Sequence, residues 1–197
     1  LLGESTLADV LTASKEGYDL IPGNMDLTAA EIQLMDMPNR ESRLKQVLAP
    51  IRADYDFIII DCPPSLSLLT LNALAAADGI IVPMQCEYFA LEGLSSLINT
   101  IDALKQKLNP ALEIDGIIRT MFDIRNNLAN AVSNELTRHF GDVVFRTLVP
   151  RNIRLAEAPS HGQSILNYDK GSRGAIAYMG LAGEVIRRTD AAVKENV

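Results

Sequence analysis

The chain has no tryptophan, and only 5% of its residues are aromatic, although 48% are hydrophobic. Its apolar mass is therefore Leu, Ile, Val and Ala, the composition of strands buried on both faces and packed under helices. It has two cysteines, Cys62 and Cys86, too few for a disulfide framework, and no Cys/His spacing resembles a zinc site. Both sit in apolar surroundings, which predicts buried free thiols. Basic residues are not in excess: the net charge is −7 and the pI about 4.8. No global nucleic-acid signature exists, so any DNA contact must come from a local cluster of arginines. There is no apolar run of membrane-spanning length; the first residues, Leu1-Leu2-Gly3-Glu4, show no charged leader pattern and no initiator Met, which gives the expectation of a chain that starts mid-protein. The two histidines, His139 and His161, are isolated from each other and from other metal-ligating residues.

The 197 residues suffice for one domain with a sizeable core, and 1–197 reads as a single domain without linker or repeat. Ser5 and Thr6 can cap a helix over residues 7–11, residues 18–23 read as a short strand with a turn, and helices are predicted over 28–35 and 41–52. The pattern then changes. Tyr55-Asp56-Phe57-Ile58-Ile59-Ile60-Asp61 is a continuous apolar run closed by a carboxylate, the signature of a central parallel strand. Further strands are predicted at 79–84, 112–121 and 144–149. Helices are predicted at 66–77, 91–108, 128–140 and 152–158, with a closing helix over 171–192. Strands alternating with helices give an α/β fold, a mostly parallel sheet with helices on both faces.

Phe57–Asp61 has the form of a Walker B strand, whose terminal Asp can hold a Mg²⁺-bound water beside phosphates. By itself such an Asp is as well explained as a helix cap. The segments that follow carry more weight. They are Asp61-Cys62-Pro63-Pro64-Ser65 with Asn72, Val82-Pro83, Glu87-Tyr88-Phe89-Ala90-Leu91-Glu92-Gly93, Thr120-Met121-Phe122-Asp123, and Val149-Pro150-Arg151-Asn152-Ile153-Arg154 through Ser160. In this order and spacing they resemble the ParA/Soj partition ATPases, deviant-Walker P-loop proteins, over nearly the whole chain. The resemblance implies a P-loop NTPase-like fold and an ATP-dependent homodimer that binds non-specific DNA. It also implies ATP hydrolysis stimulated by a ParB-type partner, and a cytoplasmic, nucleoid-associated location. It assigns Asp61 to Mg²⁺ support in catalysis, Pro150 and, more loosely, Asp123 to the nucleotide base, and Arg125 and Arg154 to the DNA backbone. The bland alternatives are solvated surface arginines at 125 and 154, a strand end at Pro150 and a helix cap over 125–127.

The sequence departs from that family in one respect. No Gly-x-x-x-x-Gly-Lys-Ser/Thr loop occurs, nor the family's variant with a second lysine. Backbone N–H groups of such a loop, with the helix after it, cradle the β- and γ-phosphates, and its lysine offsets charge in phosphoryl transfer. The expectation is therefore a chain that lacks the N-terminal strand–P-loop–helix unit, leaves a gap in the sheet and is inactive toward ATP and Mg²⁺ by itself. A fragment of a longer protein and a natural short variant both remain open. Two functional alternatives stand beside the partition reading. One is a non-catalytic interaction module. The other is a MinD-like membrane-associated positioning ATPase, against which the mixed charges of residues 184–197 argue, because they give no bulky amphipathic face.

Overall fold

The computed structural model describes residues 1–195. Its contacts divide the chain into two compact units, Leu1–Asp78 with Leu104–Leu112, and Gly79–Ala103 with Glu113–Val197.

The first unit is mainly helical. It contains α1 (Leu7–Val10), a two-stranded antiparallel hairpin of β1 (Thr12–Ala13) and β2 (Asp19–Leu20), then α2 (Asp26–Leu34), α3 (Arg43–Leu48) and α4 (Leu68–Ala76). Thr6 caps α1 in a reciprocal box with Asp9, as its sequence predicts. The predicted helix 41–52 is shorter than expected, because Pro50 lacks an N–H and the chain tightens into a 3₁₀ turn over Ala49–Asp54. Polar residues do much of the fastening here. The almost fully buried Asn72 accepts from Leu44 N and donates to Arg40 O and Leu68 O. Glu31 and Ser67 take the orphan N–H groups of Leu68 and Thr70 at the start of α4. Asn109 donates to Leu74 O and Ala77 O at its end.

One expectation fails in this unit. The run Tyr55–Asp61 is not a strand: its backbone pairs with no strand among the described residues, and Ile59 is 91% exposed. A strand buried on both faces needs neighbours for its backbone groups as well as covers for its side chains. The described residues provide neither. Cys62, next in the chain, is accordingly exposed rather than buried, whereas Cys86 is buried as expected.

The second unit holds the sheet. β3 (Gly79–Gln85) leads to α5 (Ala90–Lys107), whose first turns belong to this unit, then β4 (Glu113–Phe122), α6 (Asn127–Phe140), β5 (Val144–Pro150), α7 (Ile153–Glu157), α8 (Ile165–Tyr168) and α9 (Arg173–Glu195). The strand order is β3-β4-β5, all parallel. Apart from α8, which the sequence reading does not include, these elements follow the prediction to within a few residues. One face of the sheet packs Val82, Met84 and Ile117 against Leu94 of α5 and Ala129, Val132 and Leu136 of α6. The other packs Ile118, Phe145 and Val149 against Leu155 of α7 and Ala177, Leu181 and Val185 of α9. Helices thus cover both faces, as an α/β sheet requires. Gly116 lies where a Cβ would meet the Phe145 ring at 2.2 Å, so a glycine is needed for the two strands to carry that ring between them.

The pairing of β4 with β5 is irregular around residues 144–148. Here the Phe145 and Arg146 carbonyls accept from the buried Arg119 guanidinium, while the Arg146 and Thr147 amides donate to the Glu184 carboxylate of α9. Burial by itself would raise the Glu184 pKa. The hydrogen bonds from Arg146 N, Thr147 N, Thr147 Oγ1 and Arg188 outweigh it and hold the carboxyl below its ordinary value.

Candidate functional site

In open parallel sheets, ligands meet the loops that leave the carboxyl ends of the strands. At that end of the second unit, β4 and β5 finish on a shared rung, Phe122 opposite Pro150, and Arg151 N donates to Phe122 O at 3.2 Å. Both strands then run into the same two-residue step. Arg125-Asn126 precedes α6 and Arg151-Asn152 precedes α7. In each, the asparagine is the N-cap: Asn126 Oδ1 accepts from Leu128 N and Ala129 N, and Asn152 Oδ1 accepts from Leu155 N. The capping alternative weighed for residues 125–127 is thus realised by Asn126, which leaves the arginine beside it at the surface. Just before the first of these loops, Met121 holds φ +51°, a conformation rare for a non-glycine residue.

The arginines are not bare. Asp123 Oδ1 accepts from both Arg125 N and Arg125 Nε at 3.0 Å, and Asp123 Oδ2 accepts from Arg125 Nη2 at 2.8 Å. These bonds, with the charge of Arg151 as a smaller contribution, lower the Asp123 pKa from its ordinary 3.8 to about 2. The carboxylate read from the sequence as base-facing is thus engaged with Arg125. Arg154, on α7, donates to Glu157 Oε2 at 2.9 Å and lies 3.4 Å from Asp169 Oδ2. Tyr168 OH donates to the same Glu157 oxygen at 3.1 Å, and the His161 ring stacks on Tyr168.

Arg125 and Arg151 therefore lie on the two loops that leave β4 and β5, and Arg154 follows in the first turn of α7. Sequence reasoning quoted Arg151 within its motif without giving it a role; the signal available was its repetition of the Arg-Asn step. Pro150 ends β5, half-buried beside Phe122. The same end of the unit presents large apolar side chains to solvent: Tyr88 at 73%, Phe89 at 72%, Ile124 at 76% and Ile153 at 75% exposure. Tyr88 and Phe89 pack edge to face on each other.

Asp61 belongs to the other unit, in the exposed unpaired segment after Ile60. Among the described residues no group of three or more His, Cys, Asp or Glu could hold a metal ion. The chain also contains no glycine- and lysine-bearing phosphate loop. A single exposed carboxylate does not constitute a Mg²⁺–nucleotide site, so these residues by themselves do not fit ATP and Mg²⁺. No helix among the described residues is long and apolar enough to cross a membrane. Residues 196 and 197, part of the tail considered for membrane contact, lie outside the described residues.

Comparison with known proteins fits this arrangement. Residues 1–114 match a family model described as an AAA domain. The chain is 50% identical over 189 residues to the chromosome partitioning protein ParA of Myxococcus xanthus, covering 95% of this chain and 67% of the relative. It is 49% identical over 186 residues to the sporulation initiation inhibitor protein Soj of Bacillus subtilis, covering 94% and 74%. Among solved structures, cobyrinic acid a,c-diamide synthase from Mycobacterium smegmatis with bound ATP analog and magnesium superposes with a TM-score of 0.81 at 34% identity. That match covers 97% of this chain and 71% of the synthase.

Proposed function

Because the chain belongs to the ParA/Soj family of partition ATPases, we propose that it forms part of a DNA-partition motor whose DNA-contacting surface is the loop pair at the ends of β4 and β5. Residues 1–197 are read as one family domain. In this reading Arg125 and Arg154, with Arg151 between them, lie along the phosphate backbone of any duplex. The observation that carries it is the shared rung Phe122–Pro150, which brings both Arg-Asn steps to one surface of an otherwise acidic chain. Binding to DNA of any sequence rests on phosphate neutralisation and falls steeply with salt. Three arginines on a chain of net charge −7 give weak retention as a single copy. A second copy doubles the patch. The exposed Tyr88, Phe89, Ile124 and Ile153 supply apolar surface of the kind that a homodimer would cover.

In this reading ATP with Mg²⁺ triggers dimerisation, its phosphates cradled by a glycine- and lysine-bearing loop of the family's kind, which these 197 residues do not contain. Asp61 would support the Mg²⁺-bound water and Pro150 would flank the base. Turnover would be stimulated by a ParB-type partner, on the nucleoid in the cytoplasm. The membrane-positioning and non-catalytic alternatives gain no specific observation.

The test is retention on a non-specific duplex by the complete gene product, with and without ATP–Mg²⁺. Arg125→Ala and Arg154→Ala are each expected to lower the ATP-dependent retention at least tenfold and to reduce its salt dependence by about one phosphate. Unchanged retention in both would overturn the assignment. A liposome co-sedimentation run in parallel is expected to leave the protein in the supernatant.

A further inference from the structure

Arg125 is solvent-facing, yet two of its three guanidinium nitrogens are committed to one carboxylate. Asp123 receives Nε at 3.0 Å and Nη2 at 2.8 Å, the parallel two-bond geometry in which Arg and carboxylate pair most specifically. An isolated surface ion pair has little energetic meaning. This one is pre-organised by the backbone. Arg125 N donates to the same Asp123 Oδ1, and Asn126 N donates to Asp123 O at 3.0 Å. Asn130 Nδ2 then ties Ile124 O and Asn126 O to the first turn of α6. The turn thus fixes the carboxylate where the guanidinium must fold back onto it, and the pair carries no net charge. A phosphate approaching Arg125 meets a neutral pair whose anionic half repels it. Arg154 is covered in the same sense by Glu157 and Asp169.

We infer that Asp123 is a built-in competitor for DNA: its carboxylate occupies the Arg125 guanidinium in the resting chain and is exchanged for a backbone phosphate when DNA binds. This rests on the reading of Arg125 as a DNA-contacting residue. It gives Asp123 a positioning and gating role that is distinct from contact with the nucleotide. The consequence is a low affinity for DNA in the lone copy, set by local geometry as well as by the acidic net charge.

The substitution that isolates the effect is Asp123→Asn. The amide keeps an Oδ1 for the turn amide of Arg125 and removes the charge. Asp123→Ser, which also retains a turn oxygen, is the second variant. The readout is affinity for a non-specific DNA duplex, measured by fluorescence anisotropy on the complete gene product without nucleotide, at several salt concentrations. Both variants are expected to bind about three- to tenfold more tightly than the parent at low salt, with a salt dependence steeper by about one phosphate. Asp123→Asn combined with Arg125→Ala is expected to show no gain. Unchanged or weaker binding by both single variants overturns the inference, since it would mean that Asp123 is neutral or presents Arg125 to DNA. Arg125→Ala separates this from the wider proposal. If that variant retains DNA like the parent, the assignment of Arg125 has failed. If it loses retention while the Asp123 variants show no gain, only the competitor role has failed.

Discussion

Two apolar runs of similar composition meet opposite fates in this chain. Gly116-Ile117-Ile118, in β4, is held by β3 on one side and β5 on the other, and Ile117 is fully buried. Phe57-Ile58-Ile59-Ile60 is at least as apolar, yet no strand among the described residues pairs with it, and Ile59 is 91% exposed. The difference is not one of local propensity, since β-branched residues dominate both. A strand is a property of its neighbours: its N–H and C=O groups need partners on either edge before its side chains can be covered. The run at 57–60 has the composition of a sheet's centre without a sheet around it.

That contrast can be broken in graded steps. Ile117→Ala removes a fully buried side chain from the core shared by β4, α5 and α6, and is expected to cost about 2–5 kcal/mol, read as a loss of denaturation midpoint. Asn72→Ala tests whether the first unit depends on polar fastening. It leaves the Leu44 amide and the Arg40 and Leu68 carbonyls without their partner, for an expected loss of about 1–3 kcal/mol in the same measurement. The Asp123 carboxyl should titrate near pH 2 in a side-chain NMR experiment and move back toward 3.8 in Arg125→Ala. A carboxyl with a lowered folded pKa contributes stability above its unfolded value, and the contribution is lost as pH falls from about 4 toward 2. The pair is solvent-exposed, so the NMR shift and not a stability change is the measurement to make. Ile59→Ser should change the midpoint by less than about 0.5 kcal/mol, because the side chain it removes touches mainly water. A loss comparable to that of Ile117→Ala would show that the 57–60 run is covered in solution.

The same logic explains what the sequence disclosed. β3, β4, β5 and α6 were legible almost to the residue, because their partners lie within the chain and their apolar patterns report real burial. Asp61 was legible as the end of an apolar run, but its placement was not, since no strand among the described residues pairs with that run. Cys62 inherits the exposure of the segment that carries it. The arginines at 125 and 154 could be named from the family resemblance. The carboxylate partner of Arg125 could not, because a side chain two residues away reaches back only when a turn supplies the angle. That angle is set by the hydrogen bonds at Asp123, Asn126 and Asn130.

The bond from Arg151 N to Phe122 O, set on the last rung between β4 and β5, has a further effect. It ties the two loops at their roots, so the backbones of Phe122 and Arg151 sit like the hinged legs of one caliper, with the side chains beyond them left free to choose partners.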